Sequence, residues 1–261
     1  MNGEPVWDAL SAIGPAELLE ATLELHWAAQ VVAAAGRTFA EPADDDSHTS
    51  MTWSESVGAF VGAPFAGAYP FRAALRPGDL TLLLLDRTGA PVSSFALPGR
   101  RLEEAFEWLS LGVATYFGGP PPVIERRAYE IPAHPVGDGA PFPERPAEGL
   151  AVVGGLYGRA ARLIDEATDA IAGASVVRCW PHHFDIASPV TLSRDADGSE
   201  AHLPTIGIGA WHTEGWTGAV LEAGTLLALP GPERTGAVEG FLAEATRASM
   251  AALRRGDLEG E

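Results

Sequence analysis

The chain has no lysine: all 17 of its basic residues are arginines, set against 35 acidic ones, for a formal charge of −18. That absence excludes a Schiff-base lysine and a phosphate-binding P-loop lysine. It also leaves no basic stripe, which argues against nucleic acid and against anionic membrane surfaces as partners. There is one cysteine, Cys179, so no intrachain disulfide can form, as expected in a reducing compartment. No basic segment followed by an apolar run opens the sequence, so no secretory signal is expected. No apolar run approaches the ~20 residues that a membrane-spanning helix needs. Together these absences predict a cytoplasmic protein.

What is present is enough apolar material for a core: 46% of 261 residues. Leu18, Leu19, Thr22, Leu25, His26, Ala29 and Val32 or Ala33 recur at spacings of three and four, which predicts a helix over 16–36 that Gly36 ends. Short strands follow at 49–53, 69–76, 80–85 and 91–97, the run from Leu80 to Leu85 being the strongest buried-strand candidate. Arg76-Pro77-Gly78-Asp79 and Asp86-Arg87-Thr88-Gly89 are the turn signals between them. A helix is expected over 100–116, with Leu102, Ala105, Phe106, Leu109 and Val113 inward. Residues 118–149 hold eight prolines and read as an extended surface connection. A second helix, with Leu156, Ala160, Leu163, Ile164, Ala167 and Ile171 on one face, leads strands at 175–180, 186–193, 205–211, 216–221 and 225–229 and a last helix over 233–254.

The two blocks echo each other. Ala96-Leu97-Pro98-Gly99 and Ala228-Leu229-Pro230-Gly231 each precede an acidic amphipathic helix. The fold class expected is α+β, with two similar helix–strands–helix halves in which mostly antiparallel sheet packs against helices. The halves are 1–117 and 150–261, joined by 118–149 and expected to pack as one compact unit.

Two of the seven histidines stand together in Cys179-Trp180-Pro181-His182-His183-Phe184-Asp185, and a second cluster reads Trp211-His212-Thr213-Glu214. In extended chain alternate side chains share a face, which groups His183 with Asp185 and His212 with Glu214. If the two strand ends are neighbours, His183, Asp185, His212 and Glu214 form an N₂O₂ set suited to zinc or another first-row divalent ion. Such an ion would act as Lewis acid and water activator in a hydrolysis. Trp180, His182, Trp211 and Trp216 would line the adjoining pocket for a small molecule. The competing reading makes Trp180 to Asp185 a packed corner in a non-enzymatic structural or interaction protein.

Other candidates carry less. His26, beside Trp27, reads as a satisfied core or groove histidine. His48 follows Asp44-Asp45-Asp46 in what reads as a solvated acidic loop, which lacks the glycine and distal glutamate of a twelve-residue calcium loop. His134 and His202 lie in Pro-rich or polar loops. Cys179 reads as a buried inert thiol. Gly207-Ile208-Gly209 and Gly154-Gly155 fall short of a phosphate-binding fingerprint.

The run Trp180 to Ala187, Trp-Pro-His-His-Phe-Asp-Ile-Ala, resembles a motif of uncharacterised bacterial proteins and is loosely similar to the DUF5996 family. There a comparable aromatic-His…Phe-Asp-Leu-Ala run follows a long helix. The opening Leu25-His26-Trp27…Val31 is similar to that family's first helix. The resemblance covers about a tenth of the chain and implies no activity. It implies only that His182, His183 and Asp185 belong to the family's core motif. Oligomeric state and substrate do not follow from the sequence.

Overall fold

The computed structural model describes residues 13–67, 71–144, 149–169 and 174–188, with the helical positions 233, 236, 237, 240 and 244. The strands expected beyond residue 188, and the rest of the last helix, lie outside the described residues. The chain divides into two compact units. One comprises Ile13–Gly155 with Cys179–Phe184; the other comprises Met1–Ala12, Leu156–Arg178 and Asp185–Glu261.

In the first unit helix α1 spans Pro15–Phe39, opened by proline in its first turn and by Glu17, both favoured at a helix N-terminus. Leu25, Ala28, Ala29, Val32 and Ala35 are fully or almost fully buried along one side, whereas Leu19, expected inward, is 45% exposed. Gly36 does not end the helix as expected. It lies inside, because a Cβ there would sit 2.1 Å from the His48 carbonyl oxygen. The helix stops at Ala40, whose N–H caps the Gly36 carbonyl at 2.9 Å, two residues before Pro42.

Five strands follow: β1 Met51–Ser54, β2 Ala59–Gly62, β3 Arg72–Arg76, β4 Thr81–Leu85 and β5 Pro91–Ala96. A sixth, β6 Arg178–Trp180, pairs Cys179 with Met51, so the order is β5-β4-β3-β2-β1-β6 with antiparallel neighbours. Strand β2 is not among the expected strands, because Gly58, Gly62 and Pro64 interrupt any local strand pattern there. Gly58 supplies the +63° φ of the β1–β2 turn. Gly62 lets α1 approach, for a Cβ there would lie 2.8 Å from Val32 Cγ1. Both glycines build a hairpin and its helix contact rather than interrupt a strand. Strand β4 is buried along its whole length, as its leucine run predicts.

Helix α2, Leu102–Phe117, buries Ala105, Phe106, Leu109 and Val113 as expected. It lies over the sheet closely enough that a Cβ at Gly112 would meet Leu84 Cδ1 at 2.8 Å. Residues 118–144 then run without helix or strand. They are strapped to α1 by Glu125 N–H on Thr38 Oγ1 (2.9 Å) and by Trp27 Nε1–H on the Pro132 carbonyl (3.2 Å). His134 Nε2 adds a contact to Glu20 at 3.1 Å. The fold is thus α+β, a mostly antiparallel sheet packed against helices.

Helix α3, Gly149–Thr168, begins earlier than the Leu156 face predicts, and Gly154-Gly155 are interior to it. A Cβ at Gly154 would meet Pro77 Cβ at 2.7 Å. The helix runs on into the second unit, where Leu156, Tyr157, Leu163 and Ile164 are buried. There strand β7, Asp185–Ala187, is followed by Ser188, whose hydroxyl donates to the Ser175 carbonyl at 2.6 Å. Among the described residues no helix is long and apolar enough to cross a membrane.

Candidate functional site

The histidine pair is displayed by a turn, not by a strand. Residues 181–184 form a closed turn in which Phe184 N–H donates to the Trp180 carbonyl at 2.8 Å. Pro181 breaks the strand because it has no N–H to give a ladder. The two-residue alternation assumed through 180–185 therefore does not hold.

What holds the turn is α1. His26 and Gln30, four residues apart and so on one helix face, both donate through Nε2 to the Pro181 carbonyl, at 2.9 and 2.8 Å. Gln30 gives its other amide hydrogen to the His26 carbonyl at 3.0 Å. Next in line is Phe184, with a left-handed φ of +52°. That conformation costs a non-glycine residue roughly 1–2 kcal/mol. Full burial of the ring offsets this by about 1.5–3 kcal/mol. The ring stacks on His26 at 5.4 Å and meets Phe60 edge-on at 5.6 Å, and Phe60 in turn meets Trp53 at 5.1 Å.

With Pro181 and Phe184 anchored inward, His182 and His183 turn outward; His182 is half-buried and His183 exposed. Their ring centroids are 4.3 Å apart. His182 also approaches Tyr129 at 5.9 Å and Trp180 at 6.2 Å. Arg127 covers the Tyr129 ring at 5.4 Å and pairs with Asp46 at 2.7 Å. The displayed surface is therefore two imidazoles flanked by a phenol and an indole, a set able to donate or accept protons, ligate an ion or stack on a planar ligand.

Asp185, in the second unit, is buried, and no group among the described residues donates to its Oδ1. Burial pushes its carboxyl up to about 6, only partly opposed by a backbone hydrogen bond. His212, Glu214, Trp211, Trp216 and His202 lie outside the described residues. Among the described residues no group of three or more His, Cys, Asp or Glu side chains is placed to hold one ion.

Other histidines sit differently from expectation. His48 is buried, not solvated, and its Nδ1 accepts the Ala43 N–H at 3.2 Å. His134 is buried too, its Nδ1 accepting the Val136 N–H at 3.3 Å. His26 is a core histidine, fully buried and bonded through Nε2 to the Pro181 carbonyl, and Cys179 is buried. Sequence reasoning missed Gln30, Tyr129 and Arg127. Gln30 left a signal, a polar side chain four residues after His26 in an Ala/Val run. The other two, in a Pro-rich segment, left none.

No family model, no curated protein and no solved structure matches the chain.

Proposed function

We propose that the protein binds a small molecule on the outer side of the 180–183 turn, through His182 and His183 with Trp180 and Tyr129 beside them. One observation carries this reading: a strained left-handed Phe184 is locked by buried contacts where it turns two imidazoles out of the fold. Strain of that kind persists only where the surroundings over-determine it, and it gathers at functional sites. In its narrower form the protein is a divalent-metal-dependent, hydrolase-like enzyme. An ion such as zinc, held through His183, would polarise a substrate carbonyl or lower the pKa of a bound water.

A second reading has its own support. The paired donation of His26 and Gln30 to the Pro181 carbonyl is what a packed corner needs, which favours a non-enzymatic interaction protein. We also infer a reducing, cytoplasmic setting from the lone cysteine, and an ancestral duplication from the shared helix–strands–helix order of the two blocks, with the Ala-Leu-Pro-Gly echo beside it. Kinship with the DUF5996 family is inferred from the Trp180–Ala187 run and the Leu25-His26-Trp27…Val31 opening of α1.

Elemental analysis of the untagged protein, purified without chelator, separates the readings, with His183→Ala and His182→Ala as controls. About one equivalent of a transition metal, lost in His183→Ala, favours the hydrolase-like form. No metal, but a thermal shift with small-molecule ligands that both variants abolish, favours simple binding. Neither response, with both variants as stable as the parent, favours the interaction protein.

A further inference from the structure

A cleft of about 260 Å³ lies between the C-terminal ends of α1 and α2 and the start of the Pro-rich connection. It shares no lining residue with the histidine turn. Phe39, Phe65, Val113, Phe117, Pro120 and Pro122 form most of its wall, and no lining residue is charged. The N–H groups of the wall are also taken. The N–H of Phe65 is given to the Phe71 carbonyl, that of Ala66 to Phe39 and that of Gly118 to Ala114. Pro120 and Pro122 have no N–H, and the Pro122 carbonyl accepts the Ser110 hydroxyl at 2.6 Å. A guest in this cleft meets few hydrogen-bond donors, so an anionic one would lose its hydration without compensation.

The cleft is not buried away from solvent. Phe117 is 42% exposed and packs on Phe71 at 5.1 Å, and Phe71 reaches the half-exposed Tyr116 at 5.3 Å. Three aromatic rings in contact at the surface are an apolar patch of the kind that marks a binding site. Size sets the class of guest further. A dry cavity of about 150 Å³ lined by aliphatic and aromatic side chains takes benzene. The larger volume here suits two fused rings.

From these features we propose that the cleft binds a small, flat, uncharged aromatic molecule of the size of a fused bicycle. This site goes beyond the histidine turn and does not depend on it. Naphthalene and 2-naphthoate titrated into the full chain, followed by ligand-observed NMR, test the proposal. Expected is saturable binding of naphthalene at one site, weaker by about tenfold or more for the carboxylate. Ala114→Phe, which fills the cleft, should abolish binding, while His183→Ala should leave it unchanged. If Ala114→Phe does not fold, Ala66→Leu blocks the cleft from its opposite wall and should have the same effect. No saturable binding, undiminished binding by the filled variant, or equal binding of the carboxylate would each overturn the proposal. So would concentration-dependent self-association that Ala114→Phe cancels in the absence of naphthalene binding, since the cleft would then receive a second copy of the chain.

Discussion

Asp185 is a buried carboxyl whose charge has no hydrogen-bonding donor on Oδ1 among the described residues. Its folded pKa, about 6, lies above the ordinary 3.8. Such a group binds protons more tightly folded than unfolded, so its cost is absent below pH 4, grows between 4 and 6, and is complete above 6. The cost is on the order of 2–3 kcal/mol. Asp185→Asn should therefore raise stability at pH 7–8 and flatten the decline between pH 4 and 6. Urea unfolding across pH, in the presence of chelator, measures both, and an unchanged pH profile would count against the burial argument. The grip on Pro181 makes a second prediction. Removing either donor, as in Gln30→Ala or His26→Ala, should cost about 1–3 kcal/mol. Both donors serve one oxygen, so the double variant should lose less than the sum. A strictly additive cycle would show that the two bonds act separately.

At the scale of elements, glycines distinguish close approach from flexibility. Helix propensity alone predicts that Gly36→Ala stabilises the middle of α1 by about 1 kcal/mol. The His48 carbonyl 2.1 Å from the new Cβ predicts the opposite, a loss larger than that of Gly62→Ala. At Gly62 the obstacle is the Val32 side chain, which can be trimmed, so Val32→Ala should partly rescue Gly62→Ala but nothing comparable should rescue Gly36→Ala. Thermal unfolding of the set decides the order. The same glycines explain what was legible beforehand. Leucine-rich β4, the Asp86–Gly89 hairpin and the inward face of α2 carry strong local patterns and stand as expected. Strand β2 and the continuation of α1 past Gly36 depend on tertiary contact, which no local pattern encodes. Likewise residues 181–184 were treated as extended chain when His183 was grouped with Asp185, because the two donors that fix the turn lie about 150 residues away in the chain.

For the molecule as a whole, the excess of acid over arginine is a self-repulsion that salt relieves. Raising sodium chloride from about 20 mM to about 500 mM should raise the melting temperature by a few degrees, because the Debye length falls well below the spacing of surface charges. A melting temperature that falls with salt would mean that the surface ion pairs, such as Arg76–Asp79 and Arg126–Glu103, outweigh that repulsion. Of the candidate site, the histidine pair was legible because histidines are scarce. Its neighbours Tyr129 and Arg127 were not, since a Pro-rich strap gives no periodicity from which to infer a face.

The pairing of Met51 with Cys179 also bears on how the chain is made. Strand β1 leaves the ribosome 128 residues ahead of its partner, a delay of roughly 6–25 s at ordinary rates of synthesis. Through that interval one side of β1 has no β6 to pair with. A nascent chain stalled before residue 179 should present the free side of β1 to chaperones and to its neighbours on the same message.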